Sequence, residues 1–363
     1  MADQSTKDSI DDTVTTTAQP PQQDQQPQSL PKTDSDIGEF VDYVKVNKHE
    51  FYTRRFKSAI QPPKATVLVV HGFGEFCDRY EKLCRTLAKS GFETMTFDQK
   101  GWGKTCERTK SRKGDNGGWI ATLRDISAMS ALLKQDSIPN FLYGHSMGGA
   151  LVVNYAAVAA LKETTDLDTD DDDDDAGKKK IKNNKKKTKV EDDSFQYTKV
   201  DGIISSSPGL KIGKAAYPGD LLTSILGTVS GYARWIPWSV GFEDDHLTQN
   251  QEELKKLRES PFVHGRSTIG TLYDVFKQGE HCRKNHSKDF KTPVLLIHGD
   301  GDLICDVEGT REFYNNLPSN TDKELLIIES KYHELNFEPE LSESLPKKIV
   351  EWFSSRCGGP NNK

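Results

Sequence analysis

No apolar run in this chain approaches the roughly 18 residues that a membrane-spanning helix requires, so no such helix is expected. The six cysteines follow no regular spacing and include no CxxC pair. That excludes a disulfide framework or a zinc-ribbon reading. The opening residues Met1-Ala2-Asp3-Gln4 lack the basic and apolar regions of a secretory signal. An intracellular protein with reduced thiols is the expectation. A large excess of one charge sign is missing as well. The formal net charge is -6, and the one strongly basic run sits beside an acidic one. Nucleic acid is therefore not an expected partner.

What is present divides the chain. Residues 1–36 are rich in Asp, Gln, Thr, Ser and Pro and almost empty of apolar side chains. Such a segment cannot bury enough surface to offset its ordering entropy and is read as a disordered polar tail. A low-complexity charged insert is expected over 163–196, with six aspartates at Asp170–Asp175 followed by Lys178-Lys179-Lys180, Lys182 and Lys185-Lys186-Lys187. It is read as a solvated loop facing away from the chemistry. Roughly 290 residues remain, a normal size for one large domain.

Their pattern alternates. Residues 40–46 and 50–56 read as a hairpin. Thr66–Val70 is a continuous apolar run, as in a strand buried on both faces of a parallel sheet. Further strands are expected at 92–97, 141–143, 200–205, 293–297 and 324–328. Helices are expected at 79–89, 119–134, 147–161 and 341–353. This is an α/β chain with a mainly parallel central sheet flanked by helices. Almost 90 residues between the strands near Ile204 and Val294 show helical periodicity and no clear strand. They read as a helical cap at 208–290, inserted into a core of 37–207 and 291–356.

The chemistry-bearing residues fall at strand ends. Gly144-His145-Ser146-Met147-Gly148 fits G-x-S-x-G between an apolar strand and a helix, the context of a nucleophile turn. A serine hydroxyl needs a general base, and the base needs an orienting carboxylate. Past the strand ending at Ile297 comes His298-Gly299-Asp300-Gly301-Asp302, with Asp306 nearby; Asp300, Asp302 and Asp306 compete for the acid. Past Ile328 comes Glu329-Ser330-Lys331-Tyr332-His333. His333 is the expected base, since His298 reads as structural and His145 lies too close to Ser146 in sequence. The oxyanion of an acyl-transfer intermediate needs preorganised donors. The backbone N–H groups of Met147 and of Phe73, in His71-Gly72-Phe73-Gly74-Glu75, are the expected pair.

These segments, with Phe97-Asp98-Gln99-Lys100-Gly101-Trp102-Gly103, together resemble the monoglyceride lipase group of α/β hydrolases, the fungal members above all. The resemblance covers about Phe40 to Phe353, apart from the charged insert. It implies the α/β-hydrolase fold, with Asp302 as the acid. It also implies hydrolysis of monoacylglycerols to glycerol and fatty acid without a cofactor or metal. Cys305 aligns with a cysteine near the active site of animal relatives. A cytoplasmic enzyme resting peripherally on membranes or lipid droplets is implied too. The chain departs from the group at Ser260-Pro261-Phe262, where relatives carry Asp-Pro-Leu. Within the cap, Leu221, Leu222, Ile225, Leu226 and Val229 repeat at helical spacing. Leu222 and Leu226 are the expected contacts to the acyl chain or lipid. A lysophospholipase, another carboxylesterase, or an inactive lipid- or partner-binding scaffold are the competing readings, because one fold hosts many functions.

Overall fold

The computed structural model describes residues 37–167, 195–241 and 244–358. The tail expected at 1–36 and the aspartate and lysine runs of the insert lie outside the described residues. In chain order the elements are β1 (Glu39–Val46), β2 (His49–Phe56), β3 (Ala65–Val70), α1 (Glu81–Lys89), β4 (Phe92–Phe97), α2 (Gly103–Thr109), α3 (Trp119–Leu133), β5 (Asn140–His145), α4 (Met147–Leu167) and β6 (Gly202–Ser206). Then follow α5 (Asp220–Ser230), β7 (Pro237–Ser239), α6 (Gln251–Glu259), β8 (Arg266–Thr268) and α7 (Ile269–His281). The chain closes with β9 (Val294–Gly299), α8 (Val307–Asn316), β10 (Lys323–Ile328) and α9 (Ser344–Ser354).

One eight-stranded sheet runs β1-β2-β4-β3-β5-β6-β9-β10. The β1–β2 and β2–β4 pairs are antiparallel and the other five are parallel. The continuous apolar run of β3 has its physical reason here. Leu68 and Val70 face one core with Leu142, Leu151 and Leu296. Val67 and Val69 face the other with Phe141, Ile297 and Trp352. Both faces are covered, so the strand is apolar except at Thr66, whose buried hydroxyl donates to Asn140 Oδ1 at 2.9 Å.

Register decides where the loops go. Val70 lies opposite Gly144, Gly144 opposite Ser205, Ser205 opposite Leu296, and Leu296 opposite Leu325. The loops after β3, β5, β9 and β10 therefore leave from one edge. In open parallel sheets that carboxyl edge is where ligands bind.

Two details differ from the sequence expectation. The stretch between β6 and β9 is not purely helical, because β7 and β8 form a small antiparallel ribbon. Strands of three residues are too short to display an alternating pattern. In addition, α4 continues to Leu167, into the segment expected to be insert.

Asp125 on α3 is a buried acid. Its Oδ1 accepts a 3.0 Å hydrogen bond from Asn47 Nδ2. Burial pushes its carboxyl up to about 6, against the opposing pull of Asn47 and Lys100. The neutral form is favoured in the folded state. Its contribution is thus fully present below about pH 4 and is lost as pH rises through about 6. The loss amounts to about 2–3 kcal/mol. Asp125→Asn, which keeps an acceptor for Asn47, should melt well above the wild type at pH 8 and level with it at pH 4. Thermal melts across that range read the difference.

Candidate active site

Ser146 sits between β5 and α4 with φ of +56°, in the left-handed region. A non-glycine residue held there stores roughly 1–3 kcal/mol of strain. The surroundings hold it by backbone hydrogen bonds. Ser146 N donates to Ser206 O at 2.9 Å, and Ser146 O accepts from Ala150 N and Gly209 N, each at 3.0 Å. The flanking glycines are required by space. A Cβ on Gly144 would lie 2.2 Å from Gly148 O, and one on Gly148 would lie 2.3 Å from Val70 O.

The loops after β9 and β10 bring Asp302 and His333 together. His333 Nδ1 lies 2.7 Å from Asp302 Oδ2. The other oxygen, Oδ1, accepts from Ile304 N at 2.8 Å and Cys305 N at 3.0 Å. Burial opposes charge on Asp302, yet His333 and His298 together hold its carboxyl well below the usual range. An ionised Asp302 accepts the Nδ1 proton of His333, which leaves Nε2 as a lone pair. That Nε2 is buried and has no hydrogen-bond partner among the described residues. The Ser146 hydroxyl and the Cys305 thiol line the same cavity within interacting reach of each other.

The remaining candidates are engaged elsewhere. Asp300 accepts from Ser330 N at 3.0 Å. Asp306 caps α8 and pairs with Lys211 Nζ at 2.6 Å. His298 is fully buried between Thr310 Oγ1 and Cys305 O, with Nε2 3.3 Å from Asp302 Oδ2. His145 bridges Glu75 Oε1 (3.4 Å) and His333 O (3.3 Å).

The loop after β3 is held by a network that sequence reasoning missed. Glu75 Oε1 accepts from Gly72 N at 2.6 Å and from Tyr80 OH at 2.8 Å. Its Oε2 accepts from Arg79 Nη1 at 2.6 Å. Arg79 also grips both oxygens of Glu334, at 2.8 and 2.7 Å. All three charged side chains are buried. Burial alone would raise the Glu75 carboxyl, but Arg79 and His145 draw it far below its ordinary value. Glu75 and Arg79 are four apart in sequence, one in the loop after β3 and the other in the short 3-10 turn Cys77–Tyr80, a weak signal. Nothing local points to Glu334.

Two cavities meet at Ser146. One, of about 380 Å³, is lined by Glu75, Arg79, His145, Asp244, Arg258, His264 and Glu334 besides Ser146 and His333, and on its apolar side by Val240, Leu247, Leu257, Val263 and Ile304. The other, of about 50 Å³, is apolar and lies among Phe73, Met147, Ile212, Leu272, Val275 and Phe276, with Ser146 and Cys305 at its mouth. Phe73, Met147 and Cys305 thus line a cavity with Ser146. Leu222 and Leu226 line neither of these two cavities. Leu226 is buried among Ile269 and Leu272, with Leu222 packed against them. Helical spacing identified an amphipathic helix but not which face turns inward.

The sequence matches the Hydrolase_4 family, described as serine aminopeptidase, S33, over residues 61–166 and 194–340. The chain belongs to this family. It is 25% identical over 306 residues to a Schizosaccharomyces pombe relative provisionally named a monoglyceride lipase, covering 84% of this chain and 71% of that one. Its fold is similar to that of the monoacylglycerol lipase of Paleococcus ferrophilus, with TM-score 0.66, 26% identity, and 85% of this chain and 99% of that one covered. It is also similar to a soluble variant of the Saccharomyces cerevisiae monoglyceride lipase in complex with a substrate analog, with TM-score 0.70, 20% identity, and 91% and 98% covered. The fold is the α/β-hydrolase fold.

In this α/β hydrolase, Arg79 joins the loop after β3 to the loop after β10. Arg79→Gln leaves Glu75 and Glu334 facing each other as unpaired buried carboxylates. Breaking a buried pair in this way costs about 3–5 kcal/mol. Urea unfolding should show a loss of that size, with hydrolytic activity falling alongside.

Proposed function

We propose that this protein is a monoacylglycerol lipase, a serine hydrolase that cleaves its substrate through an acyl-enzyme. The observation that carries the reading is a larger cavity with both charged and apolar walls that shares Ser146 with a smaller apolar one. An ester with a small polar alcohol on one side and an acyl chain on the other suits that pairing. The names of the relatives agree with it. In this reading residues 37–207 and 291–356 form the catalytic core and 208–290 form the cap.

Ser146 Oγ turns from Cys305 toward His333 Nε2 and attacks the ester carbonyl as His333 takes its proton. Asp302 holds the ring in the productive tautomer and stabilises the imidazolium. The oxyanion is received by the N–H groups of Phe73 and Met147. Met147 opens α4, where the first N–H groups have no carbonyl partner within the helix. The imidazolium then protonates the departing glycerol oxygen. Water, activated by the same base, hydrolyses the acyl-serine and frees the fatty acid. A hydrogen bond between nucleophile and base that closes only with substrate bound is ordinary in ligand-free hydrolases.

A second reading, a short-chain carboxylesterase, draws on the small volume of the apolar cavity. Peripheral contact with a membrane or lipid droplet is part of the first. Among the described residues no helix is long and apolar enough to cross a membrane. One face of the cap is nevertheless exposed and apolar: Leu221 at 78%, Ile225 at 49%, Tyr232 at 85% and Trp235 at 57%. Aromatic and aliphatic groups grouped in this way suit an interfacial surface.

Ser146→Ala should abolish labelling by a fluorophosphonate probe and nearly all turnover. Asp302→Asn should lower kcat about 10⁴-fold. Monooleoylglycerol should be hydrolysed faster than lysophosphatidylcholine or a short p-nitrophenyl ester; a preference for either of the latter replaces the substrate assigned here. Leu221→Ser combined with Ile225→Ser should weaken co-sedimentation with phospholipid vesicles several-fold. Equal binding by that variant would remove the cap from the lipid contact.

A further inference from the structure

The larger cavity contains a polar ring with no part in the catalytic steps, in the Glu75–Arg79–Glu334 network or in the Asp244–Arg258 pair. His264, on the segment between α6 and β8, lines the same cavity as Ser146. Its ring stacks on Trp102, with centroids 5.2 Å apart and planes inclined by 16°. Trp102 is fully buried and in turn packs edge-on against Phe73 at 4.9 Å. The backbone is fixed as well, because His264 N donates to Gly74 O at 3.2 Å. The next residue, Gly265, approaches Val240 so closely that a Cβ would lie 2.0 Å from its carbonyl oxygen. A ring clamped by a buried indole and a backbone bond has lost its rotamer freedom before substrate arrives. Preorganisation of this kind lowers the entropic cost of binding.

Electrically the ring differs from its neighbours. Glu75, Glu334 and Arg79 satisfy one another, and Asp244 is paired with Arg258 Nε at 2.6 Å. Burial first, and the Lys113 ammonium second, push the His264 imidazole below its ordinary value. At neutral pH it is an uncharged group with one N–H donor and one lone pair. Its Nδ1 is buried without a hydrogen-bond partner among the described residues, and the two ring nitrogens point apart, so a substrate hydroxyl meets one of them, as donor or as acceptor.

We infer that His264 is a specificity-determining residue that hydrogen-bonds a hydroxyl of the departing alcohol, selecting polyol esters over esters of alcohols without a further hydroxyl. The inference rests on the substrate side assigned under the proposed function, and it concerns the alcohol rather than the acyl group. A site built to hydrogen-bond a substrate hydroxyl disfavours the analogue that lacks it.

The test holds the acyl chain constant and varies the alcohol. The ratio of kcat/KM for monooleoylglycerol to that for methyl oleate is measured in the full-length wild type, His264→Phe and His264→Gln. His264→Phe keeps a ring to stack on Trp102 and removes both polar atoms. His264→Gln gives up the ring but retains a donor and an acceptor. The ratio should fall about 5- to 10-fold in His264→Phe, the scale of one lost hydrogen bond, and recover most of that in His264→Gln. A ratio unmoved in His264→Phe overturns the inference and assigns His264 to support of Trp102 and Phe73. An equal fall in both variants overturns it too, because the ring and not its polar atoms would then matter. If the wild type cleaves methyl oleate but not monooleoylglycerol, the substrate reading itself fails along with this one. Wild-type turnover of both esters with an unmoved ratio removes His264 alone.

Discussion

A serine in a left-handed backbone conformation at the end of a buried parallel strand is the constraint around which the structure is arranged. Ser146 reaches the cavity only because the chain reverses sharply from β5 into α4. That reversal demands closeness that only glycine tolerates at Gly144 and Gly148. It also needs a fixed partner strand, since the carbonyl that receives Ser146 N belongs to Ser206 at the end of β6. The strain is local, but the restraint on it is distributed over β5, β6, α4 and Gly209. A change in sheet register would remove the restraint and leave the strain.

The same edge of the sheet poses a second problem, which is to bring loops from distant parts of the chain to one depth and hold them there. Side-chain charge solves it. Arg79 spans Glu75 and Glu334, whose loops follow β3 and β10, and His145 touches both Glu75 and the carbonyl of His333. Buried ion pairs are weak sources of net stability because desolvation opposes them. Their effect here is geometric. Each carboxylate accepts from more than one donor, so displacing either loop strands several charged hydrogen-bonding atoms at once.

These features differ in how far the sequence discloses them. The continuous apolar run of β3 and the glycines around Ser146 are visible because burial on two faces and close backbone approach each restrict residue type at one place. The meeting of Asp302 with His333 follows from strand-end positions once the parallel order is accepted. Glu334 was not legible: its partner Arg79 lies 255 positions away, and no local pattern distinguishes a buried glutamate from a surface one. The ribbon of β7 and β8 is too short for periodicity. On α5 the spacing of Leu221, Leu222, Ile225 and Leu226 describes a stripe, while the choice of inward face depends on where α7 lies. The structure turns Leu226 inward and leaves Leu221 and Ile225 exposed.

The two cavities are also walled by different kinds of interaction, and that bears on how each could change size. Around the larger cavity the segments between β6 and β9 are joined to the catalytic loops by backbone hydrogen bonds. His264 N bonds to Gly74 O, His333 N to His246 O, and Glu334 N to Leu247 O. Opening that side breaks backbone pairs in a buried setting, where each lost pair leaves an unsatisfied polar group. On the other side α7 lines the apolar cavity with Leu272, Val275 and Phe276, and α5, which makes only local backbone bonds among the described residues, packs on α7 through Leu222, Leu226, Tyr273 and Phe276. Enlarging this side costs contact between apolar groups, which an entering acyl chain can replace with its own. The two walls therefore resist a change of shape unequally, because hydrogen bonds demand fixed geometry and methylene packing does not.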